Sequence, residues 1–237
     1  MKKFDILTIF PNILDSYFDS SILKRARDKK LIDISTHDIR QAATNKRKTV
    51  DDTPYGGGPG MVIKIEPVYK TLKKIYPKLK NRPKGGRPLG GKVKNKKTRV
   101  ILLTPRGATL DQNKVKQLAK YDRLILIAGH YEAIDARIDK FIDEKISLGN
   151  FVLTGGELAV ACVVDSVSRL VKGVVGKEES VADESFGVYD KKAKKFNVEY
   201  PQYTRPDKFM NLKVPKVLLS GNHKLIKEWR EKQTKFR

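Results

Sequence analysis

Residues 100–128 read VILLTPRGATLDQNKVKQLAKYDRLILIA. Two short apolar runs, Val100–Leu103 and Leu124–Ala128, stand either side of a segment, Leu110–Lys120, that reads as a helix. The runs do not alternate with polar residues, the pattern of strands covered on both faces in a parallel sheet. Toward the N-terminus, Phe4–Ile9 and Leu31–Thr36 read as strands and Ser21–Lys30 as the helix between them. Glu66–Leu79 is a further helix, with Val68, Leu72, Ile75 and Leu79 near a period of 3.6. Toward the C-terminus, Ile134–Phe141 reads as helix and Glu144–Ser147 as a short edge strand. A long apolar helix starts at Gly156 and runs through Ala159, Val163, Val164 and Val167. This alternation predicts an α/β fold with a mostly parallel sheet.

A chain of 237 residues suits one large domain, or one medium domain plus a small one. The second boundary falls where the apolar pattern weakens. Residues 1–175 form the first domain, 176–183 a polar linker, and 184–237 a small helical domain. The last of these ends in a helix at Lys224–Lys235 with Asn222 as its N-cap and Leu225, Ile226 and Trp229 as an apolar stripe. Within the first domain, residues 81–97 read as a basic insertion; from Lys70 to Arg99 there are 13 Lys or Arg and no acid.

The 50 Lys and Arg outweigh 27 Asp and Glu by 23 charges, a balance that attracts polyanions through counterion release. Cys162 is the single cysteine, so no disulfide forms within the chain. No apolar run is long enough to cross a membrane. Residues 1–9 read as a first strand and not as a secretion signal, so a cytoplasmic protein is expected.

One motif misleads. Gly86 to Val93 matches seven positions of a phosphate-binding loop, but Val93 stands where Ser or Thr should hold magnesium, and no apolar strand precedes it. No G-x-G-x-x-G turn joins a strand to a helix either, which argues against a nicotinamide enzyme. Four other segments carry more. Residues 49–61, TVDDTPYGGGPGM, form a loop whose glycines let backbone approach a ligand and expose N–H groups. Three loops follow predicted strands: Leu102–Gly107, Ala128–Glu132, and Ser147–Ala159 (SLGNFVLTGGELA). Ligands in open α/β sheets bind at such carboxyl ends, so the three loops could line one adenosine-sized pocket.

Together with LDQ at Leu110–Gln112, GHYEAIDARI from Gly129, DSVSRL from Asp165, PQYTRP from Pro201 and VPKVLLSGNH from Val214, these segments resemble the bacterial tRNA (guanine-N1)-methyltransferases of the trefoil-knotted (SPOUT) superfamily. The resemblance covers most of the chain in the family's order. It implies a deep trefoil knot, a rare exception to the rule against threaded loops. It also implies S-adenosylmethionine as methyl donor, magnesium as an assisting ion, a homodimer whose sites draw on both subunits, and tRNA as substrate. The methylated atom would be N1 of guanosine 37, just 3′ of the anticodon.

Carried over by position, the resemblance gives a cofactor site of Leu102, Leu103, Thr104, Pro105, Arg106, Gly129, Tyr131, Glu132, Ala133, Leu148, Gly149, Asn150, Phe151, Val152, Leu153, Gly155 and Gly156. RNA would meet Asp51, Asp52, Tyr55, Gly56, Gly57, Gly58, Pro59, Gly60, Met61 and Arg205, and the resemblance makes residues 1–175 the knotted, cofactor-binding catalytic domain and 184–237 a tRNA-binding domain. Arg169 would face the charge that develops at O6 of guanine. Glu184 would be the general base, with Asp183 in a shifted register as the alternative, because the family's Asp before Ser185-Phe186 is replaced here. Ala133 stands for a usual Gly, Arg106 for a usual Gln, and His130 for a usual Arg; His130 reads as a pocket-wall or surface residue. Two other readings stay open: a related knotted enzyme acting on another RNA, and an RNA-binding homologue that has lost catalysis.

Overall fold

The computed structural model describes residues 1–79, 98–175, 185–187, 189–190 and 195–236. The basic insertion at 81–97, the linker at 176–183, and the acids Asp183 and Glu184 lie outside the described residues.

In chain order the first unit contains β1 (Lys2–Thr8), α1 (Asp15–Phe18), α2 (Ser21–Asp28), β2 (Ile32–Asp38), β3 (Asp51–Asp52), β4 (Val62–Ile63) and α3 (Ile65–Ile75). It continues with β5 (Thr98–Thr109), α4 (Gln112–Ala119), β6 (Arg123–Ala128), β7 (Ala133–Ile134), β8 (Glu144–Ser147) and α5 (Glu157–Ser168). Five strands make one sheet in the order β2-β1-β6-β5-β8, and every pairing in it is parallel. Successive residues of β6 serve opposite faces. Leu124, Leu126 and Ala128 join Phe4, Ile6, Leu118, Val163 and Val164 in one apolar cluster; Ile125 and Ile127 join Leu7, Leu72, Ile134 and Ile138 in the other. Both faces are therefore covered, which is why the strands read as unbroken apolar runs.

Several boundaries follow from local chemistry. Asp111 caps α4 by accepting from the Lys114 N–H at 2.7 Å. The α3 helix stops at Ile75, four residues short of the expected Leu79. Pro77 follows Tyr76, and a residue before proline is pushed out of the helical region. The predicted helix Ile134–Phe141 does not form. Ala133 and Ile134 pair in parallel with Val62 and Ile63, and Asp135 caps a short 3-10 turn, Ala136–Lys140, by accepting from the Arg137 N–H. Ile134, Ile138 and Ile142 all reach the core through this strand-and-turn route, which imitates helical spacing.

The strand β5 is longer than its apolar run because it resumes after a bulge. Leu103 and Ala108 both pair with Ile146, so residues 104–107 loop out of the ladder. Pro105, which has no N–H to donate, falls inside this bulge. Gly107 lies against the backbone of Ile146: a Cβ there would come within 2.4 Å of the Ile146 nitrogen.

The chain divides into two units, Met1–Gly176 and Lys177–Arg237. The second holds β9 (Tyr189–Asp190), β10 (Lys195–Val198), β11 (Lys208–Phe209), β12 (Leu212–Lys213), α6 (Lys216–Leu219), α7 (His223–Gln233) and β13 (Lys235–Phe236). Short strand pairs thus accompany its helices; strands of two residues have no periodicity to read. Asn222 caps α7, its Oδ1 accepting from the Lys224 and Leu225 N–H groups at 3.1 and 3.2 Å. Trp229 packs edge-on against Tyr200 and Tyr203, and Arg230 lies 4.9 Å above the Tyr200 ring.

Candidate active site

The carboxyl ends of β5, β6 and β8 open into one cavity of about 280 Å³. Its wall takes Leu102 to Arg106 from β5 and its bulge, and Gly129 to Ile134 from the turn after β6. From the loop between β8 and α5 it takes Leu148, Gly149, Phe151 to Leu153, Gly155 and Gly156. Every residue expected to bind the cofactor lines this cavity except Asn150, which is exposed on that loop. Ile146, Ser147 and Ala159 also line it, along with Lys145, Ala136 and Asp139. The first three were within reach of the sequence, since they are the end of β8 and the first turn of α5. Lys145 and Asp139, joined at 2.6 Å at the wall, carry no motif that would mark them.

Backbone hydrogen bonds join the turn after β6 to the loop before α5, and a buried carboxylate packs beside them. The Gly156 N–H donates to the Gly129 carbonyl at 2.6 Å, and His130 bridges Gly155 in antiparallel fashion. Glu157 is buried at the start of α5, where one oxygen accepts from Thr8 Oγ1 at 2.8 Å and the other lies 3.8 Å from His130 Nδ1. Gly155 is wedged beside this pair. A Cβ there would sit 2.4 Å from Glu157 Oε2 and 2.5 Å from His130 Nδ1. His130 Nδ1 is itself buried with no hydrogen-bond partner among the described residues. Tyr131, which lines the cavity, holds a left-handed backbone (φ +59°), a conformation that costs a non-glycine residue on the order of 1–3 kcal/mol.

The glycine-rich loop is tied to the same wall. Asp51 and Asp52 pair with Ile63 and Val62, and β4 then pairs with β7 just after Glu132. The Glu132 N–H donates to the Met61 carbonyl at 3.1 Å, and Gly60 packs so closely on Glu132 that a Cβ would come within 2.4 Å of its side chain. Gly56, Gly57 and Gly58 all have positive φ, with open space around them. Tyr55 at the tip is fully exposed. A glycine-rich loop with an exposed aromatic ring therefore stands at the rim of a glycine-walled cavity. Lys64, at 3.2 Å, hydrogen-bonds Asp52 and holds its carboxyl below the usual range.

The structure does not bring every expected site residue here. Arg169 is at the opposite end of α5 from Gly156. Thirteen residues at 1.5 Å each separate them by roughly 20 Å, and Arg169 does not line the cavity. Arg205 belongs to the second unit, where it is exposed. Among the described residues, no three His, Cys, Asp or Glu side chains gather into a metal-holding group.

A parallel α/β sheet with one cavity at its strand ends, walled by glycine backbone, defines a class of nucleotide- or nucleoside-binding enzymes. Comparison with known sequences narrows it. The profile of the family tRNA (Guanine-1)-methyltransferase TrmD matches residues 1–237. A tRNA (guanine-N(1)-)-methyltransferase of Clostridium perfringens is 48% identical over 98% of this chain and 88% of its own length. Proteins of the same description from Clostridioides difficile and Geobacillus kaustophilus are each 45% identical over 98% of this chain, covering 92% and 86% of theirs. The chain belongs to the TrmD family of tRNA (guanine-1)-methyltransferases.

Proposed function

We propose that this chain transfers the methyl group of S-adenosylmethionine to N1 of guanosine 37 in tRNA, working as a cytoplasmic homodimer with a knotted cofactor domain. The observation that carries this reading is the convergence of three strand-end loops on one glycine-walled cavity, in a chain that matches the family from end to end. The fit to the cofactor rests on Gly155 and Gly156, whose missing side chains bring backbone up to the cavity wall. A Cβ at Gly156 would lie 2.8 Å from the Gly129 nitrogen. Leu102, Leu148 and Leu153 offer apolar wall, while Thr104 and the loop backbone offer polar groups.

Bound S-adenosylmethionine would supply an electrophilic methyl group on a sulfonium. The chain's own residues would prepare the nucleophile. Guanine N1 carries a proton at neutral pH, so a base must take it; Glu184 is proposed for this, with Asp183 the alternative. As the proton leaves, negative charge moves toward O6, where the Arg169 guanidinium would meet it.

The position of Arg169 supports the dimer. At roughly 20 Å along α5 from Gly156, it lies well away from the cavity of its own chain. A second copy would supply it. Val152 and Leu158, 87% and 60% exposed next to the cavity, offer apolar surface for such a partner.

Calorimetric titration with S-adenosylmethionine tests the cofactor reading. One site per chain is expected, and absence of uptake would overturn it. Turnover of Glu184→Gln and Asp183→Asn, assayed with magnesium present, tests the base. Normal methylation by Glu184→Gln would remove Glu184 from that role.

A further inference from the structure

Glu157 is a buried carboxylate without a permanent counter-charge. It is 4% exposed, and among the described residues no lysine or arginine pairs with it. Thr8 Oγ1 donates to one of its oxygens, which solvates the charge without neutralising it. Glu157 is also the first residue of α5, where the helix dipole favours negative charge. Buried charges are ordinarily paired. The nearest cation here is conditional: His130 Nδ1 lies 3.8 Å from Glu157 Oε2, and the ring is charged only when both its nitrogens carry a proton.

His130 stands between that carboxylate and the ligand space. It lines the cavity at the turn after β6 and faces Glu157 on α5. Its Nδ1 is buried, so the exposed quarter of the side chain lies elsewhere on the ring. The rings of Phe10 and Tyr131 meet it edge-on. The other charged groups of the cavity wall are Arg106, Glu132, Asp139 and Lys145, of which the last two pair with each other. While the imidazole is neutral, the His130–Glu157 pair carries one negative charge; once the imidazole is protonated, the pair carries none.

Methyl transfer changes the charge of the bound cofactor. S-adenosylmethionine has a positive sulfonium, and the product, S-adenosylhomocysteine, is a neutral thioether one methyl smaller. A wall of glycine backbone and leucine side chains separates the two only weakly by size. We propose that the His130–Glu157 pair makes the cavity prefer the charged donor over the uncharged product, and that a proton on His130 switches this preference off. The proposal rests on the cofactor reading above and adds to it how donor and product are told apart.

The test is calorimetric titration of the full chain with S-adenosylmethionine and with S-adenosylhomocysteine at roughly pH 5.5 and 7.5, either side of the ordinary imidazole range. The ratio of the two affinities should move toward the donor by about three- to tenfold at the higher pH, the effect of one unit charge ~10 Å away near a protein surface. His130→Asn keeps an amide N–H beside Glu157 but cannot titrate, and should hold the ratio at its higher-pH value throughout. His130→Arg, charged at every pH, should hold it at its lower-pH value. Proton release, read in buffers of different ionisation enthalpy, needs only the unaltered chain: at about pH 6.5 the donor should displace more protons than the product. A ratio that does not move with pH, or that moves as much in His130→Asn, overturns the proposal. Equal proton release by the two ligands also overturns it. Failure of the unaltered chain to bind either ligand at any pH would instead remove the cofactor reading, and this preference with it.

Discussion

Thr8 Oγ1 donates a 2.8 Å hydrogen bond to Glu157 Oε1, joining the end of the inner strand β1 to the first turn of α5 across 149 residues of sequence. The other carboxylate oxygen faces His130 and Gly155. One buried acid thus bonds the strand end and packs against both glycine turns that wall the cavity, although it is not itself part of the wall. Thr8→Val keeps the volume but leaves a buried carboxylate oxygen short of a donor. It should cost about 1–3 kcal/mol in urea unfolding and weaken cofactor binding in calorimetry. Unfolding that shifts while cofactor affinity holds would mean that the bond serves stability alone.

Glycines in this chain should differ sharply in their tolerance of alanine. Gly155 and Gly107 lack room for a Cβ, against Glu157 and His130 in one case and the Ile146 backbone in the other. Gly155→Ala is expected to abolish cofactor uptake. Gly107→Ala should destabilise the fold by about 1–3 kcal/mol through overpacking. Gly57 has open space, and its φ of +77° is near values an alanine can adopt at a cost of about 1–2 kcal/mol. Gly57→Ala should therefore keep cofactor binding. Thermal melts and calorimetry on the three variants check the ranking.

Subunit complementation tests the placement of Arg169. Arg169→Ala and Gly155→Ala should each be inactive. Mixed by co-refolding or co-expression, they should regain about a quarter of normal activity, because half of the dimers then carry one intact site. No recovery, with mixed dimers present by mass spectrometry, would place Arg169 at its own chain's cavity.

Acid should destabilise the edge of the main sheet. Burial alone would push the Glu144 carboxyl up. Hydrogen bonds from Arg99 at 2.9 Å and Lys114 at 3.0 Å, with their charges, outweigh that and hold it below the usual carboxylate range. Asp5 is held down in the same way, against its own burial, by His37 and Arg123. A carboxylate held down in the folded state contributes stability that is present above its unfolded value, about 4, and is lost as pH falls through the folded one. Glu144→Gln should lower stability near pH 7 by on the order of 2 kcal/mol, between exposed-pair and buried-pair values. It should also flatten the loss of stability below pH 4. Urea unfolding at pH 7, 5 and 3.5 reads both effects.

The sheet was legible because burial on both faces leaves continuous apolar runs, and the cavity because glycine and proline cluster at three strand ends. Leu124–Ala128 and Ser147–Ala159 show each signal. Residues 134–142 misled, since isoleucines at every fourth position suit a helix as well as the strand and 3-10 turn that form. Glu157, Thr8 and His130 gave no warning of their shared contact. They lie far apart in sequence, and only the closing of β1 against β6 and α5 brings them together. Lys145 and Asp139, only six residues apart, were unreadable because they belong to no motif. The hairpin at 208–213 escaped because two-residue strands have too few positions to show alternation.

The most direct measurement follows the label from methyl-labelled S-adenosylmethionine into two unmodified tRNA transcripts that differ only in having guanosine or adenosine at position 37. Nuclease digestion should return the label as N1-methylguanosine from the first transcript, with none from the second. Equal labelling of both transcripts, or none in the first by a chain that binds the cofactor, would contradict the account.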